Sequence, residues 1–284
     1  MASRSRSPIE WIWEELKFAA GTVESAATID AGRRARAPMV RRIGLSDLRA
    51  ALAAGFADFT SCRSDVLFLC AFYPVAGLVL GRLAFGYNVL PLVFPLVAGF
   101  ALVGPLVAVG LNEMSRRREA GRHVTWVDAF GVARSHAFGK IVMLGLLLVT
   151  IYLLWLVAAG LLYNVTLGPK PPASLGVFAH ELLHTNAGLA LILAGVGVGF
   201  LFALLVLAIS VVSFPLLLDR DVRLETAITT SVRTIAENPM TMAAWGIVVA
   251  AGLVIGSIPL LLGLVVVLPV LGHATWHLYR RVVS

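Results

Sequence analysis

Residues 141–163 carry no charged side chain, and neither do residues 188–218. As helix, at about 1.5 Å per residue, each run covers roughly the 30 Å of hydrocarbon in a bilayer. No other feature limits the fold so strongly. A soluble domain is about 45–50% apolar and about 25% charged, whereas this chain of 284 residues is 59% hydrophobic and 14% charged. That much apolar surface cannot be hidden from water, so lipid is the expected solvent. In lipid the backbone has to satisfy its own hydrogen bonds, which selects helices here.

Six segments meet the length and polarity of a span: 65–85, 89–111, 140–163, 188–218, 240–256 and 259–279. The opening "MASRSRSPIEWIWEELKF" is basic and polar and lacks a cleavable apolar core. The first span is therefore expected to act as an uncleaved signal anchor. The distribution of Lys and Arg orients the bundle. Of the 23 in the chain, all but Arg82 and Lys170 fall on one side of the expected spans. Both termini are thus expected in the cytoplasm, with the loops around Tyr87, Lys170 and Ser257 facing outward. The same asymmetry accounts for the net charge of +7 without any nucleic-acid partner.

A weak internal repeat organises the spans. A short amphipathic stretch precedes each odd-numbered one, at 45–59, 125–138 and 221–239, long enough for an interfacial helix and too polar to cross. In the first stretch the apolar Leu45, Leu48, Leu52 and Phe56 stand three or four apart, with Asp47, Arg49 and Asp58 elsewhere. The expectation is an all-α membrane protein of six transmembrane helices in three amphipathic-helix-plus-hairpin units. Residues 1–44 form a cytoplasmic N-terminal arm, in which Trp11 and Trp13 suit an interface and Arg33, Arg34, Arg36, Arg41 and Arg42 suit anionic headgroups. Residues 45–284 form the six-helix domain.

"RRIGLSDLRAALAAGFADF", "YPVAGLVLGRLAF", "LPLVFPLVAGFALVGPLVAVGLNEMSRRRE", "SFPLLLDRDV" and "VLPVLGHATWHLYRR" together resemble the domain-of-unknown-function 2189 family of prokaryotic integral membrane proteins. Some members of that family carry a cytochrome c oxidase-related label. The resemblance runs from about Arg41 to Val283. It implies a multi-pass helical protein of a bacterial inner membrane, and it transfers no catalytic residue.

Several motifs invite a chemical reading. His180-Glu181-Leu182-Leu183-His184 is an H-E-x-x-H, which on a helix places two imidazoles and a carboxylate where metalloproteases hold zinc. A catalytic zinc needs three protein ligands. Glu181 would be the general base and is the only acid expected on the outer side. The set is therefore incomplete, and the segment reads as an amphipathic surface turn. His273 and His277 share a helix face as a second candidate pair. With Trp276, Tyr279, Arg280 and Arg281 around them, they read as an interfacial belt. Cys62 and Cys70 lie roughly 12 Å apart if helical, too far for a disulfide. Ionisable groups within the spans are few. Asp65, Arg82, Asn112 and Glu113 all sit near span ends, which argues against proton-coupled transport. Gly195 and Gly199 form a G-x-x-x-G suited to helix–helix contact, within the chain or between subunits.

These observations predict no catalytic, cofactor-binding or metal residues and no cofactor. The function they favour is a non-catalytic accessory or scaffolding subunit of a larger inner-membrane complex, for which the family label offers a respiratory oxidase. Its partners would be the lipid bilayer and a membrane protein or a second copy of the chain. Two alternatives stay open: a carrier or channel for a small apolar or lipid solute, lined by the Pro-broken spans, and a zinc metalloenzyme built on His180, Glu181 and His184.

Overall fold

The computed structural model describes residues 38–61, 90–259 and 261–284. The first expected span, with Asp65, Arg82, Cys62 and Cys70, and most of the N-terminal arm lie outside these residues. Among the described residues the secondary structure is helical, apart from one isolated antiparallel bridge between Val40 and Val283. The α-helices of the described residues are, in order, α1 (Leu45–Ser61), α2 (Val93–Glu119), α3 (Phe138–Thr166), α4 (Leu175–His184), α5 (Asn186–Ser210), α6 (Ser213–Asp219), α7 (Leu224–Glu237), α8 (Pro239–Ser257) and α9 (Leu264–Val282). A 3-10 segment, Trp126–Arg134, lies between α2 and α3.

Three helical stretches among the described residues are long and apolar enough to cross a bilayer: Phe138–Thr166, Asn186–Asp219 and Pro239–Ser257. They coincide with the third, fourth and fifth expected spans. α3 is apolar all round, as a helix surrounded by protein and lipid must be. Ile141, Leu144, Leu148, Ile151, Trp155 and Ala159 face the core, while Met143, Leu146, Leu154 and Leu161 are exposed. The fourth span is not one helix. It breaks between α5 and α6, and the Val212 N–H at the break donates to Ser231 Oγ on α7 at 3.2 Å. A buried backbone donor that leaves its helix ladder needs such a partner. α2 and α9 coincide with the second and sixth expected spans and each contains a proline, Pro105 and Pro269.

All three amphipathic stretches form helical elements, as α1, the 3-10 segment and α7. The face of α1 that packs inside the protein is only partly its row of large apolar residues. Leu48, Ala51, Gly55, Asp58 and Phe59 point inward, while Leu45 and Phe56 are more than half exposed. Close approach of α9 is the reason. A Cβ on Gly55 would lie 2.5 Å from the Ala274 backbone nitrogen, so only a residue without a side chain lets the helices meet at this distance. The register of α1 is set by small residues facing α9, which leaves Leu45 and Phe56 outside.

The chain before α1 is fastened to the joint between α7 and α8. Asn238 accepts from the Ile43 N–H at 2.7 Å and donates to the Arg41 carbonyl at 3.1 Å, and Thr241 donates to the Ile43 carbonyl at 2.9 Å. Pro239 occupies the first turn of α8, where its missing N–H leaves no bond unmade.

Candidate functional site

Two features stand out, an apolar pocket at the N-terminal end of α2 and a buried polar cluster at its C-terminal end. α2 has 27 residues, which separates its ends by about 40 Å.

The pocket has a volume of about 420 Å³ and lies between the start of α2 and helices α3, α4 and α5. Pro95, Trp155, Ala159, Phe178, Leu182 and Gly195 are among its walls. Two polar tips on those walls are already engaged. Trp155 Nε1 donates to the Pro95 carbonyl at 3.2 Å, and the Tyr163 hydroxyl donates to the Lys170 carbonyl at 2.7 Å. What remains facing inward is hydrocarbon.

α4 forms one wall and carries the H-E-x-x-H. The segment is a helix rather than the expected turn. Ser174 caps its start by accepting from the Val177 N–H, and Thr185 joins it to α5 by donating to the Glu181 carbonyl at 2.7 Å and accepting from the Gly188 N–H at 2.9 Å. Leu175, Phe178 and Leu182 turn one face of α4 toward the pocket. His180 and His184 are exposed, with their rings stacked at 4.8 Å. His184 Nδ1 lies 3.3 Å from the His180 carbonyl. Among the described residues no group of three or more His, Cys, Asp or Glu is placed to hold a metal ion.

The second candidate pair, His273 and His277, is not an interfacial belt. His273, Trp276 and Tyr279 are buried. The Trp276 indole donates to Glu119 on α2 at 2.9 Å, and the Tyr279 hydroxyl donates to Asp219 on α6 at 2.6 Å. These aromatic tips reach acids of their own protein rather than headgroups. The two histidines converge on α1 and α2. Ser115 Oγ lies 2.8 Å from His273 Nδ1 and donates to Asp58 Oδ2 at 2.6 Å. His277 Nε2 lies 2.8 Å from the same carboxylate oxygen, and Arg118 Nε lies 3.2 Å from Asp58 Oδ1. Burial pushes the Asp58 carboxyl up, but hydrogen bonds from His277 and Ser115 outweigh it and hold the group below its ordinary value of 3.8. Beside this cluster, Glu113 is buried and accepts from Arg116 and Arg117 at 2.7 and 2.6 Å, and Arg117 also pairs with Asp128 of the 3-10 segment. His273 Nε2 and Asn112 Oδ1 are buried without a hydrogen-bond partner among the described residues.

The arrangement resembles a Ser-His-Asp set in composition only. A catalytic triad needs the carboxylate on the far nitrogen of the imidazole and an accessible serine. Here the serine stands between the other two and is 1% exposed. The cluster ties three helices together. Sequence reading located His273, His277, Asn112 and Glu113 but missed Asp58 and Ser115 as their partners. The available signal was Asp58 three residues beyond Gly55, on the small-residue face of α1.

With this geometry in hand, comparison with known proteins gives the class. A family model described as a predicted integral membrane protein, the domain-of-unknown-function 2189 family, matches residues 93–219, which span α2 to α6. The resemblance found in the sequence is thereby shown over that stretch, and the chain is an integral membrane protein. No curated protein and no solved structure matches it.

Proposed function

We propose that the protein binds the hydrocarbon part of a small apolar or lipid solute within the membrane, as a carrier does. The observation that carries this reading is the pocket of about 420 Å³, within the usual size of ligand sites, about 300–1,000 Å³. Its polar wall groups are spent on backbone carbonyls, so a ligand with an internal polar group would lose hydrogen bonds on entry and a hydrocarbon chain would not. The reading includes six crossings in a bacterial inner membrane with both termini cytoplasmic, which the Lys and Arg asymmetry supports.

The scaffolding alternative drew on the G-x-x-x-G. A Cβ on Gly199 would meet the Trp155 ring of the same chain at 3.2 Å, and Gly195 lines the pocket. That motif therefore serves packing within the chain, which weakens the case for a subunit contact.

A photoactivatable fatty acid, added to the full chain in nanodiscs, tests the proposal. Labelling is expected to concentrate on α3, α4 and α5 around Gly195. A Cβ on Gly195 meets nothing within 4 Å, so a side chain can start there without a clash, and Gly195→Leu should occupy the pocket and remove that labelling. Labelling spread evenly over the lipid-facing surface and unchanged by Gly195→Leu would overturn it.

A further inference from the structure

The 3-10 segment Trp126–Arg134 presents an exposed aromatic face. Trp126, Val127 and Phe130 are 38%, 56% and 58% exposed, and the two rings meet edge to face at 6.1 Å. Phe138, also exposed, is the first residue of span α3. The face thus lies at the level where a spanning helix leaves the hydrocarbon, the depth that aromatic side chains occupy in membrane proteins.

The segment is held firmly from behind. Ala129 is buried at Gly110 of α2, where an added Cβ would come within 3.1 Å of it. Asp128 accepts from the Thr125 N–H at 2.8 Å, closing a capping box, and pairs with Arg117. Its aromatic side chains therefore project from a fixed platform.

Charge decides which lipid would cover it. Apart from Glu181, every described Asp and Glu lies within ion-pair distance of a Lys, Arg or His. Arg122 and Arg134 flank the aromatic segment in sequence, are exposed, and pair with none of the described acids. Two guanidiniums without an acid among the described residues, beside three exposed rings, match a phosphate headgroup above acyl chains, with the long Arg stems along the apolar surface and the charges at the phosphates.

We propose that Arg122, Trp126, Phe130, Arg134 and Phe138 form a binding surface for anionic phospholipid in the leaflet at the start of α3. The surface is separate from the apolar pocket and does not depend on the pocket's occupant.

The test measures lipid retention by the full chain, using native mass spectrometry after exposure to micelles doped with phosphatidylglycerol or phosphatidylcholine. Wild type should retain phosphatidylglycerol preferentially, on the order of tenfold for two surface charges. Arg122→Gln/Arg134→Gln should bring the ratio near one, and Lys170→Gln at the far end of α3 should leave it unchanged. Trp126→Ala/Phe130→Ala should lower retention of both lipids. Raising salt from 50 to 500 mM should shrink the wild-type preference, a readout that needs no variant to fold. Equal retention of the two lipids by wild type, a preference that survives Arg122→Gln/Arg134→Gln, or one indifferent to salt would overturn the proposal.

Discussion

The Ser115 hydroxyl on α2 donates to Asp58 Oδ2 on α1 at 2.6 Å. Its only proton is then committed, so the contact with His273 Nδ1 at 2.8 Å has to run the other way, with Nδ1–H donating to Ser115 Oγ. One hydroxyl thus joins three helices and fixes the tautomer of a buried imidazole. Ser115→Ala removes both bonds, leaving Asp58 Oδ2 to His277 alone and the buried His273 N–H without its hydroxyl acceptor. The cost is about 1–3 kcal/mol, expected as a thermal midpoint several degrees lower in detergent. Ser115→Thr, which keeps the hydroxyl, should recover part of it.

Acid should weaken the same interface. The folded-state pKa of Asp58 lies below its ordinary value. A carboxyl shifted in that direction stabilises the fold above its unfolded pKa and loses the contribution as pH falls through the folded pKa. The thermal midpoint of wild type is expected to hold near pH 6 and decline below about pH 4. Asp47 and Asp128 are held low too, by the Gly44 and Thr125 N–H groups foremost, and share in that decline. Asp58→Asn isolates its own part: a lower midpoint at pH 6 and a shallower acid drop. Parallel curves for wild type and Asp58→Asn would show that the carboxylate contributes nothing.

Gly55→Ala offers a steric counterpart. The added methyl meets backbone atoms of Ala274 at 2.5 to 2.7 Å, and backbone cannot move aside as a side chain can. Overpacking of this kind costs about 1–3 kcal/mol and should loosen α1, seen as faster proteolysis near Ser61. Gly44→Ala is the control, since its nearest neighbour would be Ser46 Oγ at 3.8 Å, and no change is expected there.

The H-E-x-x-H yields a prediction of a different kind. His180 and His184 are exposed and, among the described residues, bond to nothing beyond their own helix. Changing both to Ala should alter stability by no more than about 0.5 kcal/mol. It should also leave fatty-acid labelling of the pocket intact, because the histidines are not among its lining residues. Stoichiometric zinc in protein purified without chelator would restore the metalloenzyme reading.

The three candidate spans among the described residues were legible because lipid leaves the backbone no alternative to helix, and a charge-free run such as 188–218 declares itself. The break at Val212 was not legible, since it depends on Ser231, which approaches from a separate element. The face of α1 that meets α9 was not legible, because α9 selects Ala51 and Gly55 for being small and no count of apolar residues marks them. The polar cluster escaped for a related reason. Histidines next to Trp276 and Arg280 have the composition of a membrane interface, and only the packing of α1 and α2 against α9 turns their side chains into the protein. The pocket is the least legible feature, since no residue type marks empty space.

Asp58 and His277 are 219 residues apart in sequence and 2.8 Å apart in space. The ribosome makes α1 before the described spans and α9 after them. During synthesis Gly55 and the contact of Asp58 with His277 lack their partner, which arrives only when the chain is nearly complete. Closure of this interface therefore comes last: a chain terminated short of Ala274 lacks the helix that latches α1.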